Sequence, residues 1–104
     1  MTPEALDHAA RFLIVGDYKS AADAFEAALT TDAEDPVALM GAARARLALT
    51  QDDKARGLLL RLLLVRPQNP EALSHLAAIR YRRDRQPEQL DELVTAHDAR
   101  SISC

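Results

Sequence analysis

Cysteine, glycine and aromatic residues are scarce in this 104-residue chain, which has one Cys, three Gly, two Tyr, two Phe and no Trp. Each scarcity excludes something. The single Cys, Cys104, rules out a disulfide framework and any cysteine-rich metal site. Gly16, Gly41 and Gly57 stand far apart, so no glycine-rich phosphate loop exists. Val and Ile number 7 together and the aromatics 4, too few of the residues that fill pleated surfaces for an all-β or parallel α/β core. No apolar run approaches the roughly 20 residues that span a bilayer. The best run, Gly57 to Val65, is interrupted by Arg61. The opening residues, with Glu4 and Asp7 ahead of the first Arg, lack the basic and apolar regions of a secretory leader. These absences set the expectation of one domain in a reducing, cytoplasmic compartment with no membrane partner.

Alanine and leucine are abundant instead, at 20 and 16 residues. Both lose little side-chain freedom in a helix, so the composition argues for an all-α fold. The net charge of −3 conceals an asymmetry: residues 1 to 35 carry −6, residues 36 to 85 carry +6, and the last nineteen carry −3. Arg80, Arg82, Arg83 and Arg85 crowd around Tyr81, a pattern that nucleic-acid binders also show. A pI near 5.5 lacks the basic footprint such binding needs, and arginines at helical spacing are more simply a solvated face. No nucleic-acid partner is expected.

Punctuation divides the chain into six helical stretches. Pro3 opens the first, which Gly16-Asp17 closes, and the second runs from about Tyr18 to Thr30. Pro36 opens the third, which ends near Thr50-Gln51-Asp52. The fourth reaches Val65, Pro70 opens the fifth and Pro87 the sixth. Proline at a first helical turn sacrifices no hydrogen bond, because those N–H groups have no partner within the helix. Helices of this length with short breaks pack as antiparallel neighbours.

The openings recur. Asp35-Pro36-Val37-Ala38-Leu39 and Asn69-Pro70-Glu71-Ala72-Leu73 are close copies 34 residues apart. That interval, one helix-turn-helix unit, is the period of the tetratricopeptide repeat. The chain resembles that family over three units, 2–35, 36–69 and 70–103, within a single domain spanning 2–100. Gly16-Asp17-Tyr18 followed by Ala21, Phe25, Ala28 and Leu29 matches the family's turn and second helix. Ala55, Leu59, Leu62 and Pro67 match in the second unit, and Leu73, Leu76, Ala77, Leu93 and Ala96 in the third. The small residue of the first helix is kept as Ala9, Ala43 and Ala77, while the usual Tyr is Phe12, then Arg46 and Arg80. The sixth stretch, with Leu90, Leu93, Val94 and Ala96 among polar residues, suits a terminal helix with a wetted outer face. Residues 101–104 read as a frayed tail.

The resemblance implies a right-handed superhelical stack of three antiparallel hairpins whose first helices line a concave, peptide-binding groove. The groove positions would be Leu6, Ala10, Leu13 and Ile14, then Met40, Arg44 and Leu47, then Ser74, Ala78, Tyr81 and Arg82. Such a surface grades from apolar to Tyr and Arg, and complements a ligand with an apolar segment and an acidic or polar end. A helical stripe does not separate core from groove, so Leu13, Ile14 and Leu47 could serve either. Leu60 and Leu64, four residues apart on the fourth helix, exceed what a stacked core needs. They suggest a convex contact with a partner or a second copy; the alternative is a central helix buried all round.

His8, His75 and His97 lie on separate stretches without ligand spacing, and Cys104 has no base held beside it, so neither a metal, a cofactor nor catalysis is expected. The expected function is a protein-binding adaptor or scaffold. The rivals are a small bacterial chaperone of the type III secretion class, shielding an apolar client helix, and an interaction domain cut from a larger protein. Family members that hold the C-terminal carboxylates of heat-shock proteins use Lys, Asn and Arg at set positions, because a carboxylate needs cationic or amide donors. Here those positions hold Leu6, Ala10, Gly41, Glu71 and His75. An acidic C-terminal peptide of that kind will therefore give no heat of binding in a calorimetric titration, and micromolar affinity would contradict this reading.

Overall fold

The computed structural model describes residues 3–84, and all regular structure among them is α-helical. The five helices are α1 (Pro3–Val15), α2 (Tyr18–Thr31), α3 (Pro36–Ala48), α4 (Asp52–Val65) and α5 (Pro70–Asp84). Their bounds follow the prolines and turn residues of the sequence. The expected sixth helix from Pro87, and the tail at 101–104, lie outside the described residues.

The turns show the 34-residue step in backbone detail. Gly16 adopts φ +85°, a left-handed conformation that ends α1. Its N–H donates to the Leu13 carbonyl at 3.2 Å, and the Asp17 N–H donates to the Phe12 carbonyl at 2.9 Å. This pair of bonds satisfies carbonyls that a helix end otherwise leaves open. Asp17 then caps α2 by accepting from the Ser20 N–H at 3.2 Å. At the end of α3 the arrangement recurs with Thr50 in place of glycine, at φ 59°. Thr50 N–H donates to Leu47 at 3.0 Å and Gln51 N–H to Arg46 at 2.8 Å. The backbone motif is conserved along the chain although the residue that favours it is not.

At α3 and α5, which proline opens, the helix starts are capped by side chains. Asp35 accepts from the Val37 and Ala38 N–H groups at 2.9 and 3.3 Å, with Pro36 in the first turn of α3. Asn69 accepts from the Ala72 N–H at 2.9 Å and starts α5 in the same way. The start of α4 differs, since Gln51 makes no side-chain cap. Its amide oxygen is engaged by Arg46 instead, and Asp52 and Asp53 supply negative charge to the first turn.

Consecutive helices pack as neighbours, and α1 also reaches α3. Small residues set the spacing: Ala9, Ala21, Ala43 and Ala55 are wholly buried. Helices α2 and α3 come close enough that a Cβ at Gly41 would overlap the Phe25 ring. Helix α3 lies between α2 and α4, so Ala38, Leu39, Ala42, Ala43 and Ala45 have no exposed surface.

The third unit departs from the expected small-residue pattern. Ala77 is exposed where Ala43 is buried, and Leu73 is 46% exposed where Leu39 is 0%. The reason is that α5 packs mainly on α4 among the described residues and meets α3 through the Arg44–Glu71 pair, whereas α3 is covered by α2 and α4 on both sides.

Two substitutions test this account by urea unfolding. Thr50→Gly relieves a β-branched residue in a left-handed conformation and should stabilise the chain by about 1 kcal/mol. Gly41→Ala should destabilise it by about 1–3 kcal/mol through overpacking against Phe25, despite alanine's higher helix propensity. Opposite signs would refute the turn and packing assignments.

Candidate functional site

The first helices of the units, α1, α3 and α5, form a row. Helix α1 packs against α3, and Arg44 ties α3 to α5. Its guanidinium makes two hydrogen bonds of 2.6 Å to the Glu71 carboxylate, and His75 Nε2 lies 3.2 Å from Glu71 Oε2. A planar fork on a carboxylate fixes orientation as well as distance. Arg82 reaches from α5 to α4, meeting Asp52 at 3.0 and 3.3 Å.

The eleven positions expected to line a groove divide by burial. Met40 belongs to the core, and Leu6, Ala10, Leu13 and Leu47 are partly buried against it. Ala78 is half-buried. Ile14, 82% exposed, is the open apolar position, while Arg44, Ser74, Tyr81 and Arg82 are exposed polar or amphipathic ones. The sequence left Leu13, Ile14 and Leu47 undecided between core and groove. Leu13 and Leu47 fall toward the core and Ile14 toward solvent. On α4, Leu60 is 43% and Leu64 85% exposed, so this helix is not buried all round by the described residues.

Sequence reasoning missed a partly buried ion pair at the back of α3. Arg46 occupies the position where an aromatic residue was expected, and its side chain is only 11% exposed. Glu26 on α2 accepts from it at 2.7 and 2.9 Å, Gln51 accepts at 2.7 Å, and Asp23 lies 4.0 Å away. Hydrogen bonding to Glu26 pushes the guanidinium pKa up, against the opposing effect of burial. The signal was available in principle: a cation in an enclosed aromatic position needs an acid on the preceding helix, and Glu26 is there. In the turn between α2 and α3, the Ala33 carbonyl accepts from Arg61 of α4 at 3.0 Å, which gives a purpose to the one charge inside the leucine run.

Packed α-helical hairpins throughout the described residues, with turn and cap motifs recurring at a fixed step, define a helical repeat protein. A family model described as tetratricopeptide repeat matches residues 12–79. That span exceeds half of the chain, which therefore belongs to the tetratricopeptide repeat family. No curated protein matches the chain. Repeats of this family are generally protein-interaction modules and non-enzymatic scaffolds. No described helix is long and apolar enough to cross a membrane.

The Arg44–Glu71 pair has a pH signature. Hydrogen bonding from Arg44 holds the Glu71 carboxyl below its usual 4.5, with a smaller contribution from His75. A group whose folded pKa is depressed contributes stability above its unfolded pKa and loses it as pH falls through the folded value. Arg44→Ala should therefore lower thermal stability slightly near neutrality, by less than about 1 kcal/mol because both side chains are well exposed, and the two chains should converge as the pH falls below about 4.5. A difference between the two chains that does not change with pH would remove the pair from the account.

Proposed function

We propose that the chain is a non-enzymatic adaptor that takes an extended or helical peptide of a partner protein along α1, α3 and α5. The three units would then form the right-handed stack that its family implies. The observation that carries the reading is the grading of this row within a tetratricopeptide repeat fold, from exposed Ile14 on α1 to Ser74, Tyr81 and Arg82 on α5. An apolar residue of the ligand would lie against Ile14, and a polar or acidic end against α5.

The two groove arginines already have carboxylate partners, Glu71 and Asp52. A ligand carboxylate would exchange with these rather than meet a bare guanidinium. Exposed pairs are worth about 0–1 kcal/mol, so the exchange is cheap, but it limits the gain from an acidic end. Affinity must then come from the apolar and backbone contacts, with charge setting direction.

The same geometry weighs against a chaperone for an apolar client helix. That task needs a continuous apolar trough, yet Leu6, Ala10, Leu13, Met40 and Leu47 already pack into or against the core. A second contact through Leu60 and Leu64 is favoured by their exposure. Burying both would supply on the order of 3–6 kcal/mol. Two side chains fall well short of the ~1,200 Å² of a stable interface, so self-association through them would be weak. Light scattering should show a monomer at micromolar concentration, with any dimer at higher concentration abolished by Leu64→Glu.

Photo-crosslinking side chains placed at Ile14, Ser74 or, as the control, Lys54 test the groove in the native organism. Ile14 and Ser74 should capture one protein in common and Lys54 should not. The captured segment, made as a peptide, should bind the purified chain in calorimetry and lose at least about tenfold in affinity with Ile14→Asp, the ~1.4 kcal/mol expected for losing a buried apolar contact. Capture from Lys54 alone, or an unchanged affinity, would place binding elsewhere.

A further inference from the structure

A recess of about 550 Å³ opens between α2 and α4 at the back of α3, a volume within the roughly 300–1,000 Å³ of ligand sites. It shares no residue with the eleven positions expected to line a groove. Leu29 and Leu58, each 8% exposed, and Gly57 give it an apolar floor. Arg46 also lines it, but that guanidinium is engaged by Glu26 and Gln51. Lys54 and Arg61 have donors to spare. Lys54 makes no hydrogen bond or ion pair within the described residues, and Arg61 uses only Nη2, on the Ala33 carbonyl. Asp53, the other acid of the lining besides Glu26, lies in the first turn of α4, where its charge suits the helix start.

Gly57 has no use inside the chain. It sits in the interior of α4, where glycine is less stable than alanine, and a Cβ built on it would meet nothing within 4 Å. Gly41 differs, since its Cβ would strike Phe25. In the repeat register α2 has Ser20, Asp23 and Ala27 where α4 has Lys54, Gly57 and Arg61. The second unit has thus removed an acid together with its side chain and set a cation to either side. Lys54 and Arg61 are seven residues apart, two turns and about 10.5 Å along one face of α4, with Gly57 between them. A second helix approaches most closely where the side chain at the contact is smallest.

We propose that this recess docks an acidic helix of another protein, laid along α4 with an apolar residue over Gly57 and carboxylates two turns apart on Lys54 and Arg61. Charge selects the occupant. Residues 36–85 carry +6, and the two cations of the recess with unengaged donors stand on either side of its apolar floor. Leu29 and Leu58 offer little exposed area, so the contact depends on charge and weakens with ionic strength. The site does not rest on the groove reading, and it takes a different partner.

The test titrates the isotope-labelled full chain with two synthetic helical peptides and reads amide NMR shifts. Both peptides are alanine-based with a central leucine; one carries a pair of Glu two turns apart and the other a pair of Lys. The Glu peptide should move amides in 26–30 and 54–61, and the Lys peptide should not. Lys54→Glu with Arg61→Glu, two exposed positions, should weaken the Glu peptide severalfold and admit the Lys peptide instead. Gly57→Gln should raise the urea midpoint, because the added side chain meets open space on a helix, and yet weaken the Glu peptide severalfold. The proposal is overturned if the Glu peptide moves no amides or moves those of α1 and α5 instead. It is equally overturned if either variant leaves the affinity unchanged, if charge reversal does not admit the Lys peptide, or if Gly57→Gln lowers the urea midpoint. Sulfate moving the same amides as strongly as the peptide would make a small anion the occupant, which also overturns it.

Discussion

Everything in this fold depends on the fact that no hairpin can cover its own apolar face. The contact that answers this is the close approach of α2, α3 and α4 through residues with almost no side chain. Ala21, Ala43 and Ala55 are wholly buried, and Gly41 admits the Phe25 ring where even a methyl group would collide. Abundant alanine is the means by which helices come close enough for a few large residues, Leu39, Leu59 and Leu62 among them, to complete the core. The leucines alone would have held the helices too far apart.

That constraint is quasi-one-dimensional, since each helix is stabilised by its neighbours in the row. It explains why residues at identical repeat positions have different surroundings. Leu39 and Leu73 occupy the same place in the register, yet Leu39 is wholly buried on a helix packed from both sides and Leu73 is 46% exposed on a helix packed mainly on α4 among the described residues. It also explains the two uses of arginine. Arg46, partly buried, stands where an aromatic ring is usual and is held by hydrogen bonds to Glu26 and Gln51. Arg44 and Arg82, exposed, tie the third unit to the second through Glu71 and Asp52 at little energetic gain.

Much of this was legible in the sequence because it is local. Pro36 and Pro70 mark helix starts, Gly16 marks a stop, and the 34-residue copy of the Asp-Pro and Asn-Pro openings gives the family. Thr50 shows the limit of local reading: nothing in a threonine announces a left-handed conformation, and only its register with Gly16 does. The Arg46–Glu26 pair was illegible for a different reason. Its partners are twenty residues apart and meet only because the helices stack, so residue type alone gave no sign of the ion pair. In the groove, periodicity placed Leu13, Ile14 and Leu47 on one stripe, but the small rotation between neighbouring positions decided that Ile14 alone faces solvent. Repeats of this family are generally protein-interaction modules, and under the proposed reading the exposed residues along the row would set the direction of a ligand.

The central claim is that stability originates in the α2–α3–α4 contact and declines along the row. Native-state hydrogen exchange on the full chain tests it most directly, because slow amides report the most stable cooperative unit. The account predicts the slowest exchange in α3, nearly as slow in the buried faces of α2 and α4, and markedly faster exchange in α1 and α5. Amides of α5 exchanging as slowly as those of α3 would contradict it.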